Sequence, residues 1–312
     1  MIGQKTLRPN RVPVILDTDI GTDIDDTWAL ALALRSPELE VRLVTSVTQD
    51  TLYRARLIAR LLDVAGAAHI SIGIGPRSDQ SDPWVQPQAS WVQGYGIEDY
   101  PGPVRRDGVG ALIETVMRSA TPVTIVALGP LTNVAAALNH EPRIAERARF
   151  VGVHGCLRHS HRPGGRIIAE YNVRADVAAA RKVFAAPWDK TITPLDTCRR
   201  VILDGQRYQR VLESSDPLCR AVIENYRAWA ADETFFDQYD PQRSSSILFD
   251  TVAVYLAFDD AWLRMEDLPI GVTDDGLTRI DANGSVVRCA MEWCDLTAYQ
   301  HFLTRRLMGK RI

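Results

Sequence analysis

Five acidic side chains lie within ten residues near the start of this chain: Asp17, Asp19, Asp23, Asp25 and Asp26. The apolar runs on either side predict a short buried strand at residues 12–16 and a buried helix at residues 27–34. Carboxylates held this close together cannot all stay ionised without a counter-charge. Either some are protonated near neutral pH, or a cation lies among them. An all-oxygen site selects a hard divalent ion such as Ca²⁺ or Mg²⁺.

A simpler interpretation is an acidic helix N-terminus, where aspartates cap the helix and complement its dipole. It accounts for Asp25 or Asp26, and for Asp23. It does not account for Asp17 and Asp19, which follow directly on an apolar strand. Ligands of open parallel sheets bind outside the carboxyl ends of the strands. We therefore favour a ligand site over simple capping.

Two later segments carry polar groups suited to the same site. The predicted strand at residues 123–128 is followed by Gly129 and Pro130, and proline is favoured at the first position of a helix. The Leu128 carbonyl would then lie outside the helical hydrogen bonds and be free to face a ligand. Glu170 and Asn172 are two residues apart, so in an extended segment their side chains would point the same way.

Asp250 is the one acidic residue in the apolar stretch 247–258. A buried carboxylate costs free energy unless it is paired, caps a helix or binds a metal. Capping of a helix that begins at Thr251 is therefore an alternative to a metal-binding role.

The remaining sequence alternates between predicted strands and helices. Strands are predicted at residues 12–16, 42–47, 70–74, 123–128, 150–153 and 191–195, and helices at residues 27–34, 53–65, 108–120, 175–185 and from residue 130 onward. Apolar, β-branched strands in this rhythm are typical of parallel sheets in α/β proteins. We expect a single α/β domain over residues 1–312, with a doubly wound, mainly parallel, Rossmann-like sheet, helices on both faces and a helical segment near residues 200–246.

Composition excludes several classes of protein. The net charge of −3 offers no basic surface for nucleic acid, and the longest apolar runs are too short to span a bilayer. No secretory signal is recognisable at the N-terminus. The five cysteines are widely spaced, which argues against a disulfide framework or a thiolate zinc site. These features favour a cytoplasmic protein that binds neither nucleic acid nor membrane.

The four polar blocks together resemble one enzyme family. Asp17-Thr-Asp-Ile-Gly with Asp25-Asp26, Leu128-Gly-Pro-Leu-Thr-Asn133, Glu170-Tyr-Asn172 and Phe249-Asp250-Thr-Val-Ala-Val are similar, in order and spacing, to the motifs of the inosine/uridine-preferring nucleoside hydrolases. The resemblance covers roughly residues 12 to 308. It implies a ribonucleoside N-glycosidase of that fold, with a role in nucleoside salvage and a homodimeric or homotetrameric assembly.

The resemblance also implies roles for individual residues. Ca²⁺ would be held by a set of four oxygen ligands: Asp19, Asp26, the Leu128 carbonyl and Asp250. Asp19 would also act as general base toward a water that the ion activates. The ribose hydroxyls would be bound by Asp25, Glu170 and Asn172, with Asp50 near a position where the family usually has Asn.

Three departures from the family pattern are visible, and two of them concern the nucleobase. The aspartate motif is two residues longer than the usual DxDxGxDD, which leaves Asp23 without a role. Phe249 stands where many members have His, and Gln93 stands where a second pocket His usually precedes a glycine. The half of the site that binds sugar and metal matches the family, while the half that binds the base differs.

The departing base must therefore be stabilised in another way. One possibility uses His159 or His161, from an irregular loop at residues 155–165 that could close over the site. Solvated loop histidines are the alternative. The other possibility is stacking of the base between aromatic rings, with a weak preference for purines. Candidates for the stacking are Trp84, Trp91, Tyr226 and Trp229, whose alternative role is core packing.

Two other functions are compatible with parts of the pattern. A DxD phosphohydrolase would use Asp17 as nucleophile and Asp19 as acid/base with Mg²⁺, but it leaves Glu170 and Asn172 unexplained. A non-catalytic nucleoside- or ribosyl-binding homologue would keep the fold without the base-activating residues. The sequence does not determine the preferred nucleobase.

Overall fold

The computed structural model describes residues 11–78, 85–159, 166–232 and 239–309. Its strands all belong to one ten-stranded sheet, in the order β4-β3-β2-β1-β5-β6-β7-β10-β8-β9. The strands are β1 (Val12–Thr18), β2 (Leu39–Ser46), β3 (Ser71–Ile74), β4 (Val104–Arg105), β5 (Val123–Ala127), β6 (Ala148–Val153), β7 (Lys190–Thr193), β8 (Leu263–Val272), β9 (Thr278–Ile280) and β10 (Ser285–Trp293). Only the β10–β8 and β8–β9 pairs among them are antiparallel.

Helices cover both faces of this sheet. They are α1 (Asp25–Leu34), α2 (Thr51–Val64), α3 (Gly108–Arg118), α4 (Thr132–His140), α5 (Ile144–Arg147), α6 (Tyr171–Ala175), α7 (Val177–Ala185), α8 (Leu195–Cys198), α9 (Gly205–Leu212), α10 (Pro217–Ala230), α11 (Asp250–Leu256) and α12 (Leu296–Leu307). Val14 and Leu16 pack into one core with α1, α2 and α10, while Ile15 packs into a second core with α3, α4 and α7. This alternation confirms the doubly wound α/β fold.

The path of the chain through the sheet determines where a ligand can bind. From β1 the chain adds β2, β3 and β4 on one side, and then returns to add β5, β6 and β7 on the other side. The connections diverge between β1 and β5, which leaves a crevice outside the carboxyl ends of those two strands. The aspartate run follows β1, and Leu128 follows β5.

Three local predictions differ from the structure. The helix expected to open at Pro130 begins at Thr132, with Leu131 at its N-cap. Leu195, expected to end a strand, instead begins the short helix α8. In the segment near residues 200–246, helix is found as α9 and α10, but residues 239–249 are not helical up to the start of α11.

No helix among the described residues is long and apolar enough to cross a membrane. The single-domain interpretation stays a prediction.

Gly21 is the residue whose backbone allows the aspartate run to turn away from β1. Its φ is +114°, and a Cβ there would lie 2.6 Å from Tyr53 Cε1 and 2.9 Å from Leu57 Cδ1. Only glycine combines that φ with so little space. The tight turn after β1 therefore depends on this position.

We expect Gly21→Ala to destabilise the protein more than Gly66→Ala does. Gly66 also has a positive φ, +64°, but nothing lies within 4 Å of a Cβ built there. Both variants lose about 1–2 kcal/mol from the strained backbone, and Gly21→Ala loses about 1–3 kcal/mol more from overpacking. Urea unfolding of the two variants measures the difference; equal losses would show that Tyr53 and Leu57 do not confine the turn.

Candidate active site

The aspartate run forms the loop between β1 and α1. The N-cap of α1 is Ile24, and no side chain makes a capping hydrogen bond there. Asp25 and Asp26 lie in the first turn, where they complement the helix dipole. Side-chain capping is therefore not the reason for the acidic run.

Three buried carboxyl groups meet at the centre of the site, and we call Asp25, Asp26 and Asp250 the carboxylate cluster. One carboxylate oxygen from each lies within 4.8 Å of the others. Burial raises the pKa of all three well above the usual range, and repulsion from neighbouring carboxylates, with Asp19 and Asp23 acting on each of them, adds to it. Thr18 donates a short hydrogen bond to Asp26, and the Asp250 backbone N–H donates to Asp25 Oδ2 at 3.3 Å.

The alternative role considered for Asp250, capping of a helix that begins at Thr251, is not what the structure shows. The N-cap of α11 is Phe249, and Asp250 is the first residue of the helix, facing the other two carboxylates. The all-oxygen donor set of the cluster fits a hard divalent cation, which would remove the repulsion among the carboxylates.

The carboxylate cluster forms part of a cavity of about 630 Å³ at the crevice between β1 and β5. Its lining includes most of the residues that the sequence singles out. These are Asp19, Asp23, Asp25, Asp26, Leu128, Glu170, Asn172, Phe249 and Asp250, joined by Thr22, Val153, Ile168, Ala169, Tyr171, Arg174 and Leu195. The cavity thus brings together Asp19 and Asp250, which are 231 positions apart in the sequence.

Asp19 lies against the start of the segment that follows β5. A Cβ at Gly129 would be 2.7 Å from Asp19 Oδ1, so only glycine allows the two segments to approach this closely. Burial raises the pKa of the Asp19 carboxyl, and the positive charge of Arg54 opposes that rise. Asp19 is not in the carboxylate cluster as defined by distance, but it borders the same cavity.

Glu170 and Asn172 reach the cavity by a different route from the extended segment expected. Glu170 is the N-cap of α6, and its carboxylate accepts hydrogen bonds from the backbone N–H groups of Gly155, Asn172 and Val173. Burial raises the pKa of Glu170 to about 7. The Asn172 amide donates to the Leu128 carbonyl at 2.7 Å and to the Val153 carbonyl at 3.1 Å.

The Leu128 carbonyl therefore has a partner in this structure. Leu128 lines the cavity, and its carbonyl accepts a hydrogen bond from the Asn172 amide. A carbonyl oxygen has a second lone pair, so this hydrogen bond is compatible with a metal ligand.

Arg54 is a residue of this site that the sequence reasoning missed. It is 1% exposed and comes from α2. Its guanidinium donates to the Asp19, Ile20 and Thr48 carbonyls and to the Thr22 hydroxyl. An arginine among the apolar positions of an amphipathic helix is the signal that could have identified it.

Two more distant side chains hold the same loop. Gln88 donates to the Asp23 carbonyl at 2.8 Å, and the Trp229 indole N–H donates to the Thr22 carbonyl at 3.0 Å. Trp229 is 1% exposed and packs against Tyr226 and Tyr239. It therefore supports the loop from the core.

Among the described residues, three predicted substrate contacts do not border the cavity: Asp50, Gln93 and Trp229. Asp50 is the N-cap of α2, with Tyr53 N–H donating to Oδ1 and Gln86 donating to Oδ2. Gln93 is exposed after a short 3-10 turn. Their roles toward substrate stay predictions, and for Trp229 a direct contact requires its ring to leave the core.

The structure disfavours the phosphohydrolase interpretation. Asp17 lies within β1, fully buried, and its Oδ1 accepts from Thr45 at 2.5 Å and from Asn133 at 2.8 Å. It is not among the described residues that line the cavity. A nucleophile must reach its substrate, whereas this carboxyl ties β1 to β2 and α4.

The groups considered for the departing base lie mostly away from the cavity. His159 is exposed, and its backbone N–H is held by Asp196. Trp91 and Tyr226 are buried in the core, while His161 and Trp84 lie outside the described residues. Phe249 is the predicted base contact that does line the cavity.

Comparison with known proteins is consistent with this geometry. Residues 14–298 match the profile of the family described as inosine-uridine preferring nucleoside hydrolase. The chain belongs to the nucleoside hydrolase family. It is therefore an enzyme of the N-glycosidase class, and its family is metal-dependent.

Individual nucleoside hydrolases resemble this chain over most of its length. It is 30% identical over 232 residues to a non-specific ribonucleoside hydrolase RihC of Klebsiella pneumoniae, covering 70% of this chain and 73% of that protein. It is 28% identical over 272 residues to an inosine-uridine preferring nucleoside hydrolase of Crithidia fasciculata, covering 83% and 82%. A plant nucleoside hydrolase has the same fold, with a TM-score of 0.79 at 24% identity, over 95% of this chain and 99% of that one.

We expect Asn172→Ala to weaken both ribose binding and metal binding without unfolding the protein. The variant removes the two hydrogen bonds that hold the Leu128 and Val153 carbonyls in place, each worth about 0.5–1.5 kcal/mol. The measurements are KM for the best substrate and metal affinity by competition with a chelator. Unchanged metal affinity would show that Asn172 does not position Leu128.

Proposed function

We propose that this nucleoside hydrolase cleaves the N-glycosidic bond of ribonucleosides and releases ribose and the free base. One observation carries the proposal: a single cavity is bordered by the carboxylate cluster, by Asp19 and by the hydrogen-bonding pair Glu170 and Asn172. Acidic walls of this kind favour the positive charge that develops on a sugar ring as its bond to the base breaks.

The proposed cofactor is one Ca²⁺ ion, held by Asp19, Asp26, the Leu128 carbonyl and Asp250. What supports it is the oxygen-only donor set and the burial of the carboxylates. Within the described part of the chain, Arg54 is the cation that acts on Asp26, and one positive charge does not balance the whole group. When bound, such an ion supplies Lewis-acid activation at neutral pH. Asp25 completes the carboxylate cluster and is assigned to the sugar.

The side chains that border the cavity have separate proposed roles in the reaction. Asp19 takes a proton from the attacking water, which adds to C1′ of the ribose. Asp25, Glu170 and Asn172 bind the ribose hydroxyls. A deoxyribose would leave a buried carboxylate without its hydrogen bond, so ribose is selected.

The proposed preference among bases is weak and favours purines. Phe249 offers the aromatic surface that the buried tryptophans do not, because it is half-buried and borders the cavity. A larger ring buries more area against it. We also propose a homodimer or homotetramer, which is supported by the family alone, and a cytoplasmic location, which is supported by the widely spaced cysteines.

A substrate panel tests the proposed activity. We expect ribose release from ribonucleosides and no phosphate release from phosphoesters. Asp19→Asn should keep the fold and lower turnover by about 10²–10⁴-fold, the usual effect of losing a general base. Asp274→Asn, a change at a side chain that is 97% exposed, is the matched control and should be silent. Near-native turnover of Asp19→Asn would refute the assigned role.

Elemental analysis tests the proposed cofactor. Protein purified without chelator should contain about one calcium per chain, and added Ca²⁺ should raise the thermal midpoint of chelated protein, since a ligand that binds only the native state stabilises it. Asp250→Asn should lose both effects while Asp274→Asn keeps them. A chelator-treated protein with no calcium and full activity would contradict the proposal.

A further inference from the structure

The cavity is strongly unbalanced in charge. Six of its lining side chains are carboxylic acids, and among the described residues Arg174 is the only lysine, arginine or histidine that borders it. This imbalance suits a developing positive charge on ribose. It opposes the negative charge that appears on the base when the glycosidic bond breaks, because nearby carboxylates repel an anion.

Arg174 occupies a fixed place beside the proposed sugar contacts. It follows Glu170 by four residues, and its backbone N–H donates to the Glu170 carbonyl at 2.9 Å, so both residues lie on one face of α6. A Cβ at Gly276 would lie 3.0 Å from the Arg174 Cα. The turn between β8 and β9 therefore packs closely against this backbone.

Among the described residues, no side chain or backbone group holds the Arg174 guanidinium away from a ligand. Glu170 is the natural partner at this spacing, but both of its oxygens accept backbone N–H groups, Oε1 from Asn172 and Oε2 from Gly155 and Val173. No hydrogen bond or ion pair of the Arg174 side chain is found within the part of the chain that the structure describes.

Two nearby basic side chains of the described part of the chain, Arg54 and His154, are not available for this task. The Arg54 guanidinium is occupied by the backbone of the aspartate loop. His154 is fully buried, and burial lowers its pKa to about 3, so it stays neutral. A guanidinium, in contrast, stays charged at any pH at which an enzyme works and presents several N–H donors in one plane.

We propose that Arg174 is a catalytic residue that stabilises the departing nucleobase, in place of the histidines that this chain lacks at Phe249 and Gln93. This inference rests on the proposed N-glycosidase function. The C1′–N bond breaks and its electron pair stays on the base nitrogen. Water oxygen bonds to C1′, Asp19 takes the water proton, and the guanidinium donates hydrogen bonds to the base anion until solvent protonates it.

The inference is tested with substrates whose leaving groups differ in how strongly the enzyme must stabilise their negative charge. Uridine and inosine expel a basic nitrogen anion, whereas 4-nitrophenyl β-D-ribofuranoside expels a phenolate that is stable on its own. Arg174→Met removes the donors and keeps most of the apolar stem. We expect it to lower kcat/KM for both nucleosides by about 10²–10³-fold, the usual effect of losing one such donor. The activity on the nitrophenyl riboside should stay within about threefold.

Two further variants complete the design. Arg174→Lys should recover part of the lost nucleoside activity, because it restores a positive donor. Arg181→Met, at an exposed arginine on α7 that bonds to Asp274, is the matched control and should leave all three activities unchanged. Circular dichroism and the thermal midpoint report whether each variant folds.

Equal losses on all three substrates would assign Arg174 to the sugar or to the fold and overturn the inference, as would no loss on nucleosides. Cleavage of none of the three by the unaltered enzyme would overturn the proposed function itself, and the inference with it.

Discussion

The site depends on one buried arginine. Arg54 reaches from α2 under the loop that carries the aspartates, and its donors engage the Asp19 and Ile20 carbonyls and the Thr22 hydroxyl. A loop that contains several carboxylates would otherwise be pushed apart by their repulsion. The same guanidinium lowers the pKa values of Asp19 and Asp26 against the effect of burial. Arg54 thus holds the aspartate loop in place by hydrogen bonds and also partly balances its negative charge. The turn at the start of this loop is possible because Gly21 has no side chain.

The sheet explains why such distant residues come together. Asp19 and Leu128 lie just beyond the carboxyl ends of the neighbouring strands β1 and β5. Glu170 caps α6, the helix that follows β6. Asp250 begins α11, which packs against α1, and its backbone N–H donates to Asp25 in the first turn of α1. Each of these positions is an element end, where side chains and backbone groups are free of the sheet's own hydrogen bonds. The catalytic side chains at these element ends can therefore be exchanged for others without disturbing the hydrophobic core.

The sequence predicted the parallel half of the fold because its strands are continuous apolar runs, which can be recognised without their partners. It did not predict β8 and β10, since these antiparallel strands mix buried, half-buried and exposed residues and include charged ones. The acidic residues of the site were recognisable from their spacing. Arg54 offered only a weak signal, a charge among the apolar positions of α2, because its partner, the Asp19 carbonyl, is remote in sequence. Arg174 offered none, because its availability depends on Glu170 being engaged by backbone N–H groups.

The hydrogen bond from Asn172 to the Leu128 carbonyl has a thermodynamic consequence. One end of this bond belongs to a proposed ribose contact and the other to a proposed metal ligand. Any change that substrate makes in Asn172 alters the electron density and orientation of the Leu128 oxygen, and the reverse holds as well. The two binding equilibria are then linked, and linkage is reciprocal: the factor by which the cation tightens ribose binding equals the factor by which ribose tightens cation binding. A nucleoside at saturating concentration should thus raise the affinity for the proposed ion by that same factor, so that the equilibrium occupancy of the ion is highest while the enzyme is working.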